Sequence, residues 1–407
     1  MAPICDRPPD VWKYEHYGDK PNMEVTPPIL AFLDECEIAY NCAQAGLGEI
    51  ATQTLRDLAR RIDADPDLRR VAIAAHQQVY DTDADFADAT RQADDALGAE
   101  ADLLHALFVL DSTRLVRQRQ AARGVPPEIT QAVNQRHGVA WLKDAEQRGH
   151  IGIADWIPGW LRKVASGHLY RLGRLEFLPE PWDYPARAYT HRRTQELVLL
   201  AESGQRFTDD GYLTGDLTWT STLIEDADAI IGTPITPHGA ALQQPVRLPR
   251  NEWQLALGRG DPVLDMHVPS EGALTLDAIR DALVQAEPFF ERYYPEHTFV
   301  AYTCYSWLFS PQLETLLASD SNILRWQREG YLLPSDSGNE DFLTFTFGAG
   351  SIDTATATRD TRLRRAVITH LERGEILRCG GYLLLRRDLG RFGSQPYRHT
   401  GSALALD

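Results

Sequence analysis

The sequence predicts an all-helical domain followed by a domain of α+β or α/β class, a mixed sheet with a βαβα core. Its 407 residues exceed the size at which one hydrophobic core keeps growing, which favours two domains. In the first part of the chain, apolar residues recur at the three- and four-residue spacing of helices. From about residue 166 onward, short β-rich runs stand between glycines and prolines, and strand and helix patterns alternate.

Three segments follow from these patterns. Residues 1–27 are polar and rich in proline, and we expect an irregular lead-in. Residues 28–165 form the predicted helical domain, in which Pro66 and the pair Pro126 and Pro127 stand where helices should begin. Residues 166–407 form the predicted second domain. The helical spacing is carried by PPILAFLDECEIAYNC, GLGEIATQTLRDLARRI, PDLRRVAIAAHQQVY and ADLLHALFVLDSTRLVRQRQAAR.

The stretch DPVLDMHVPSEGALTLDAIRDALVQAEPFF predicts a strand, a polar turn and a long amphipathic helix. Residues 263–268 form the expected strand, with Asp265 and His267 on one face. A second strand is expected over residues 299–307, followed by a helix that begins near Pro311. A βαβα order makes the two strands parallel neighbours, and ligands bind at the carboxyl ends of such strands.

The turn between strand and helix has two interpretations. Backbone N–H groups from Ser270 through Leu274, with the helix that Thr275 caps, could hold a phosphate or pyrophosphate. The turn could instead be a connecting loop with an ordinary cap. The GxGxxG and P-loop patterns are absent, and Glu271 and Asp277 would repel an anion.

Other polar and aromatic side chains also allow two interpretations each. Asp265 could orient His267 as a general base, or both could be satisfied residues of an ordinary strand. A nucleophilic Ser306 would need a nearby base, which the pattern does not reveal. Asn322 could anchor a ligand or begin a helix-edge turn, and Trp182 could line a pocket or pack at the domain junction.

Charge and cysteine content limit the partners. The formal charge of -17 repels phosphate backbones and anionic lipid surfaces and would attract a cationic small molecule such as an amine. Five cysteines without a CxxC pair predict neither a disulfide framework nor a zinc site, which fits a reducing cytoplasm. We find no signal-peptide pattern and no run of eighteen apolar residues, so a cytoplasmic location is expected. The GxSxG, HExxH and kinase signatures are missing, which excludes those enzyme classes.

Several motifs in order resemble a bacterial acyltransferase-domain family, whose members join a helical N-terminal half to a GNAT-like C-terminal domain. The resemblance covers residues 123–374, and the helices before it are less distinctive. It rests on RGVPPEITQAVNQRHGVAWLKDAEQRGHIGIADWIPGWLRKVASGHLYRLGRLEFLP, IIGTPITPHGA, GDPVLDMHVPSEGALT, AEPFFERYYPEH, CYSWLFSPQLETLLASDSNILRWQREGYLL and LRRAVITHLERG.

The resemblance implies an N-acyltransferase that moves an acyl group directly from acyl-CoA to the amine of a small molecule. The acyl group would be acetyl or a longer chain, and no metal would be needed. The segment PSEGALT would take the place of the pyrophosphate loop. The cofactor-binding candidates are therefore Val268, Pro269, Ser270, Gly272, Ala273, Leu274, Thr275 and Asn322.

Direct transfer requires a base for the amine and an acid for the leaving thiolate. We expect the base to be His267, whose pKa is near neutral, or Glu176, whose pKa burial could raise. The resemblance implies that Tyr305 reprotonates the thiolate. The candidate substrate-binding residues are Asp265, Ser306, Trp307 and Trp182.

Departures from the family pattern keep other functions open. The usual GNAT loop of Arg or Gln, two residues, Gly, any residue, then Gly or Ala is absent from PSEGALT, the segment that would take its place. Family members tend to have Gln where Glu176 stands, and the SWLLDP pattern reads SWLFSP here, without its acidic residue. A non-catalytic GNAT-like module that binds a ligand or a partner would fit these departures. An aminoacyl-tRNA-dependent transferase is disfavoured by the acidic charge.

Overall fold

The computed structural model describes residues 28–82, 84–139, 151, 157–213, 218–269 and 271–398. For 28–30, 138–139 and 157–159 it describes the backbone alone. The chain divides into two compact units, Met1–Arg171 and Leu172–Asp407. In the described part, no helix is both long and apolar enough to cross a membrane.

The first unit is built from helices. Short 3-10 turns occur at Pro28–Leu33 and Gly98–Glu100, and a π-helical turn follows the sixth helix at Gln135–Val139. The α-helices are α1 (Glu35–Ala45), α2 (Glu49–Ala64), α3 (Pro66–Asp81), α4 (Phe86–Leu97), α5 (Ala101–Ala122), α6 (Pro127–Asn134) and α7 (Ile157–Ala165).

The starts of these helices follow local chemistry. Pro66 and Pro127 lie in the first turns of α3 and α6, as the sequence predicts. Asp34, Asp65 and Asp85 precede α1, α3 and α4, and each accepts one or two hydrogen bonds from backbone N–H groups of the first turn. These aspartates satisfy donors that the helix itself leaves unpaired.

A charged cluster is buried in the core of the helical unit. Asp111 on α5 accepts hydrogen bonds from Arg114 Nε at 2.5 Å and Nη2 at 2.8 Å, and His76 Nε2 lies 2.9 Å from its second oxygen. Asp111 and Arg114 are each 2% exposed. Burial raises the pKa of Asp111, but Arg114 and His76 outweigh burial and hold that pKa well below its usual range.

One cysteine departs from the expectation of reduced thiols. Cys36 at the start of α1 is disulfide-bonded, which the expected fit to a reducing cytoplasm did not anticipate. Cys42, Cys304 and Cys379 are free and buried. A single bond is not a disulfide framework, because the described core is held mainly by apolar side chains.

The second unit carries most of the strands, and its first strand overlaps the division between the units. A four-stranded sheet has the order β11-β3-β4-β9, a three-stranded sheet the order β10-β8-β7, and β5 pairs with β6. The strands are β1 (Tyr170–Leu172), β2 (Leu175–Pro181), β3 (Ala186–His191), β4 (Leu197–Ala201), β5 (Arg206–Phe207), β6 (Trp219–Thr220), β7 (Leu223–Glu225), β8 (Ala229–Gly232), β9 (Pro234–Ile235), β10 (Val246–Pro249), β11 (Trp253–Leu257), β12 (Pro262–His267), β13 (Ala301–Ser306), β14 (Tyr331–Pro334) and β15 (Gly380–Leu385).

The described helices of the second unit all follow β12 along the chain. They are α8 (Leu276–Tyr293), α9 (Leu313–Leu316), α10 (Asn322–Gln327), α11 (Asn339–Phe347) and α12 (Arg362–Glu372), with 3-10 turns at Trp307–Phe309 and Arg386–Arg391. The described residues between β1 and β12 contain no helix. The prediction that strands and helices alternate from residue 166 is therefore wrong for this part. The segments between its turns are too short to carry the apolar spacing of a helix.

The six-stranded sheet β1-β2-β12-β13-β15-β14 contains the predicted βαβ unit. Strands β12 and β13 are parallel and α8 connects them, as expected. On the sheet face that packs on α8, the ring centroids of Phe177 and Tyr302 lie 6.3 Å apart. The ring centroid of Phe177 lies 6.5 Å from that of Phe290 on the helix. This packing fixes one face of the sheet against α8 and leaves the opposite face to the candidate site.

A glycine at the start of β15 permits a close backbone approach. A Cβ atom at Gly380 would lie 2.1 Å from the carbonyl oxygen of Phe309, whereas a Cβ at Gly390 would meet no atom within 4 Å. We expect Gly380→Ala to lower the free energy of unfolding by about 1 to 3 kcal/mol. The matched change Gly390→Ala should alter it by less than about 1 kcal/mol in either direction. Urea unfolding of both variants checks this, and equal effects would contradict it.

Candidate active site

The parallel strands β12 and β13 diverge at their carboxyl ends. Their ladder consists of three residue pairs and ends at Asp265 and Thr303. Beyond that point β12 continues to pair with β2 as far as His267, and β13 continues to pair with β15 as far as Ser306. Each strand thus follows its outer neighbour, and an opening forms between them.

Five polar side chains share the sheet face beside this opening. Asp265 and His267 alternate along β12, and Thr303 and Tyr305 alternate along β13. Glu176 on β2 is the direct cross-strand partner of His267. Because the side-chain period of a strand is two, the registers place all five on one face. The structure therefore brings the three predicted catalytic residues onto the same surface.

Asp265 and His267 form a close pair, which confirms that they share a strand face. His267 Nε2 lies 3.3 Å from Asp265 Oδ2, and Thr303 Oγ1 donates to the other carboxylate oxygen at 3.3 Å. The side chains of His267 and Asp265 are 19% and 25% exposed. A carboxylate at this distance can orient an imidazole while leaving it within reach of a ligand.

Glu176 is buried directly beside this pair. Its side chain is 2% exposed, and it stands opposite His267 in the antiparallel ladder of β2 and β12. Side chains directly opposite each other in such a ladder have Cβ atoms about 5 Å apart. The two candidate bases are therefore direct cross-strand neighbours.

Tyr305 lies at the exposed end of the same face. Its side chain is 53% exposed. Partial burial raises the pKa of Tyr305, and a hydrogen bond with Ser337 offsets only part of that rise. The Ser337 hydroxyl also accepts a hydrogen bond from the backbone N–H of Cys379 at 2.6 Å. Tyr305 therefore carries its proton at neutral pH and can donate it.

The predicted phosphate-binding turn links β12 to α8. Ser270 lies outside the described residues. Gly272 has φ +81, a left-handed conformation that strains any other residue. Thr275 caps the helix, because its side chain accepts a hydrogen bond from Ala278 N at 3.2 Å, as expected. Of the remaining candidates, Pro269 is buried, Val268 and Leu274 are partly buried, and Ala273 is exposed.

An arginine that the sequence does not single out contacts this turn. Arg174 Nε donates to the carbonyl oxygen of Ala273 at 3.3 Å, and its side chain lies 3.8 Å from the Cβ position at Gly272. It places a positive charge where Glu271 would otherwise repel an anion. No sequence signal could reveal this contact, since 99 residues separate the two positions.

The other candidate residues have local structural partners. Ser306 caps the 3-10 turn after β13, accepting from Leu308 N at 3.3 Å, and the Trp307 ring lies 5.4 Å from that of Phe342. Trp182 is 4% exposed, and its Nε1 donates to Ala186 O at 2.8 Å. Asn322 is the exposed first residue of α10, whose N-cap is Ser321. A binding role for these four residues therefore stays a prediction.

A mixed sheet with a diverging parallel pair and a capped turn leading into a long helix is the arrangement that the resemblance to GNAT-like acyltransferases implies. The chain belongs to the family described as GNAT-like C-terminal domain, whose model matches residues 169–383, more than half of the chain. The N-acyltransferase N-terminal domain matches residues 37–167. The protein is thus an enzyme of the acyltransferase class.

Solved structures with a similar fold are also acyltransferases. One, in complex with decanoyl-CoA and teicoplanin, has 21% identity and a TM-score of 0.55, with 86% of this chain and 87% of that chain covered. A mutant in complex with octanoyl-CoA has 22% identity and a TM-score of 0.54 over the same shares. At such identities the likeness shows the fold alone. None of the curated proteins compared with the chain matches it.

Proposed function

We propose that the protein transfers an acyl group from acyl-CoA to the amine of a small molecule by direct attack. The observation that supports this most is the position of His267, Glu176 and Tyr305 on one face beside the opening between β12 and β13. A thioester placed in that opening would have a candidate base on one strand and a candidate acid on the other. The division into a helical domain of residues 28–165 and a catalytic domain of residues 166–407 is part of the proposal.

Coenzyme A would bind at the turn between β12 and α8. Backbone N–H groups around Gly272 and the start of an 18-residue helix favour a pyrophosphate, and Arg174 adds a positive charge. In our proposal Val268, Pro269, Ser270, Ala273, Leu274 and Thr275 form the rest of the site, with Asn322 on the neighbouring helix α10. No metal takes part in the proposed chemistry.

The reaction forms one bond and breaks one. The amine nitrogen attacks the thioester carbonyl carbon, the C–S bond breaks, and the products are an amide and coenzyme A. The nitrogen loses its proton to His267 or Glu176, and Tyr305 gives its proton to the leaving thiolate. A backbone N–H on a diverging strand polarises the carbonyl oxygen. Asp265 and Ser306, with Trp307 and Trp182, would hold the acceptor.

The similar structures suggest which acyl donors and acceptors to test first. Those structures hold octanoyl-CoA and decanoyl-CoA, and one also holds teicoplanin, so we would include medium-chain donors and teicoplanin in a first screen. The charge of -17 favours a cationic amine. A cytoplasmic location stays a proposal. It needs a direct test, because Cys36 is disulfide-bonded.

Thermal unfolding with acetyl-CoA, octanoyl-CoA, decanoyl-CoA and adenosine diphosphate tests the donor. At about 100 times Kd, binding adds about 2.7 kcal/mol, a rise in Tm of about 5 to 11 °C for the second unit. Arg174→Ala should reduce this rise, because it removes the charge beside the turn. Arg192→Ala is the matched control, since Arg192 is exposed and bonded to Gln254. A folded protein whose Tm no coenzyme A thioester changes would contradict the proposed donor.

A further inference from the structure

The helical unit contains a cavity that acyl transfer does not explain. It has a volume of about 430 Å³ and lies among α1, α5 and α6. Cavities of roughly 300 to 1,000 Å³ are typical of small-molecule sites. All its lining residues belong to the helical unit, and none of them lies on β12 or β13.

The wall of this cavity is rich in carboxamides. Such groups carry no charge, and each both donates and accepts hydrogen bonds. A wall of this kind suits a ligand that is neutral and can both donate and accept at many points. Six of the sixteen lining residues are of this type, namely Asn41, Gln44, Gln118, Gln131, Asn134 and Gln135.

The charged groups on the wall are already matched with each other. Arg117 Nη1 donates to Asn41 at 2.6 Å, its Nη2 lies 3.4 Å from Glu37, and its guanidinium stands 4.8 Å from the Tyr40 ring centroid. Arg114 is bonded to Asp111. An ionic ligand would find no unmatched charge here, so a neutral ligand is favoured.

The rest of the wall also fits a hydroxyl-rich molecule. Asn134 donates to Thr113 O at 3.1 Å, and its buried Oδ1 accepts no hydrogen bond within the described residues. Ala45, Ala121 and Val125 add apolar surface that can contact C–H groups. A sugar ring presents hydroxyls at its rim and C–H groups on its faces, whereas a peptide has donors and acceptors at fixed alternating points.

From these observations we propose that the cavity among α1, α5 and α6 binds a neutral saccharide of one or two rings. The proposal does not rest on the proposed acyl transfer. Hydroxyl groups would bond to the carboxamides of α1 and α6, and the pair of Arg117 and Glu37 would contact neighbouring hydroxyls. A short peptide or an anion is the alternative occupant that the experiment must distinguish.

Saturation-transfer NMR on the full chain tests this with D-glucose, N-acetyl-D-glucosamine and sucrose. Glycyl-L-leucine and inorganic phosphate are the comparison ligands. We expect a saturable signal from ring C–H protons of at least one saccharide. No saccharide signal, or a signal from the dipeptide or phosphate alone, would overturn the proposal.

Variants locate the bound sugar. Ala121→Phe places a ring in the cavity from an exposed position of α5 and should weaken binding at least tenfold. If this variant does not fold, Gln131→Leu on the exposed side of α6 replaces it, with the same expected loss. Gln53→Leu is the matched control, since Gln53 lies on α2 outside the cavity and bonds to Asp57. Unchanged affinity in a folded cavity variant would show that the sugar binds elsewhere and would overturn the assignment.

Discussion

Replacing His267 with Gln is expected to lower kcat for acyl transfer by about 100- to 10,000-fold, the usual contribution of a general base. Gln keeps the size and polarity of the side chain but cannot accept the amine proton at neutral pH. The pairing of His267 with Asp265 at 3.3 Å should be the feature that orients the imidazole. The measurement is release of coenzyme A with the donor that binds best and an amine acceptor.

Controls for this prediction come from the same chain. His238→Gln changes an exposed histidine, 61% exposed at its side chain, and should leave kcat unchanged. Glu176→Gln tests the second candidate base, and Tyr305→Phe tests the proposed acid. If His267→Gln is folded and fully active while Glu176→Gln is not, the base is Glu176. Full activity in both variants would show that neither residue accepts the proton.

Replacing Asp111 with Asn is expected to lower the free energy of unfolding of the helical unit by about 3 to 5 kcal/mol. The change leaves the guanidinium of Arg114, only 2% exposed, without its carboxylate. Urea unfolding followed by circular dichroism measures the loss. Asp88→Asn is the matched control, because Asp88 and Arg91 form an exposed pair whose removal should cost less than about 1 kcal/mol. Equal losses in the two variants would contradict the importance of burial.

The same carboxylate predicts how stability depends on pH. The folded-state pKa of Asp111 lies below the unfolded value of about 3.9, so its contribution is fully present above that value. It is lost as the pH falls through the folded-state pKa. The stability difference between the wild type and Asp111→Asn should therefore shrink as the pH falls below about 4. A difference that grows on acidification would contradict this assignment.

Local patterns predicted the geometry around the candidate site correctly. The two-residue period of β12 placed Asp265 and His267 on one face, and the cap at Thr275 marked the start of α8. The βαβ order predicted that β12 and β13 would be parallel neighbours. The stretch from β1 to β12 was predicted less well, because short strands between turns give too few residues for a period to be recognised.

The sequence by itself determined the features that depend on neighbouring residues. These are the helical first unit, the helix starts at Pro66 and Pro127, and the shared face of Asp265 and His267. The resemblance to acyltransferases was visible in the sequence as well. Only the tertiary structure decided which distant residues join them. The register of β2 against β12 puts Glu176 beside His267, and sheet assembly brings Arg174 to the turn at Ala273, 99 residues away. The physical reason is that a periodic pattern fixes which face a side chain takes, whereas the register between strands far apart in sequence follows from the packing of the whole sheet.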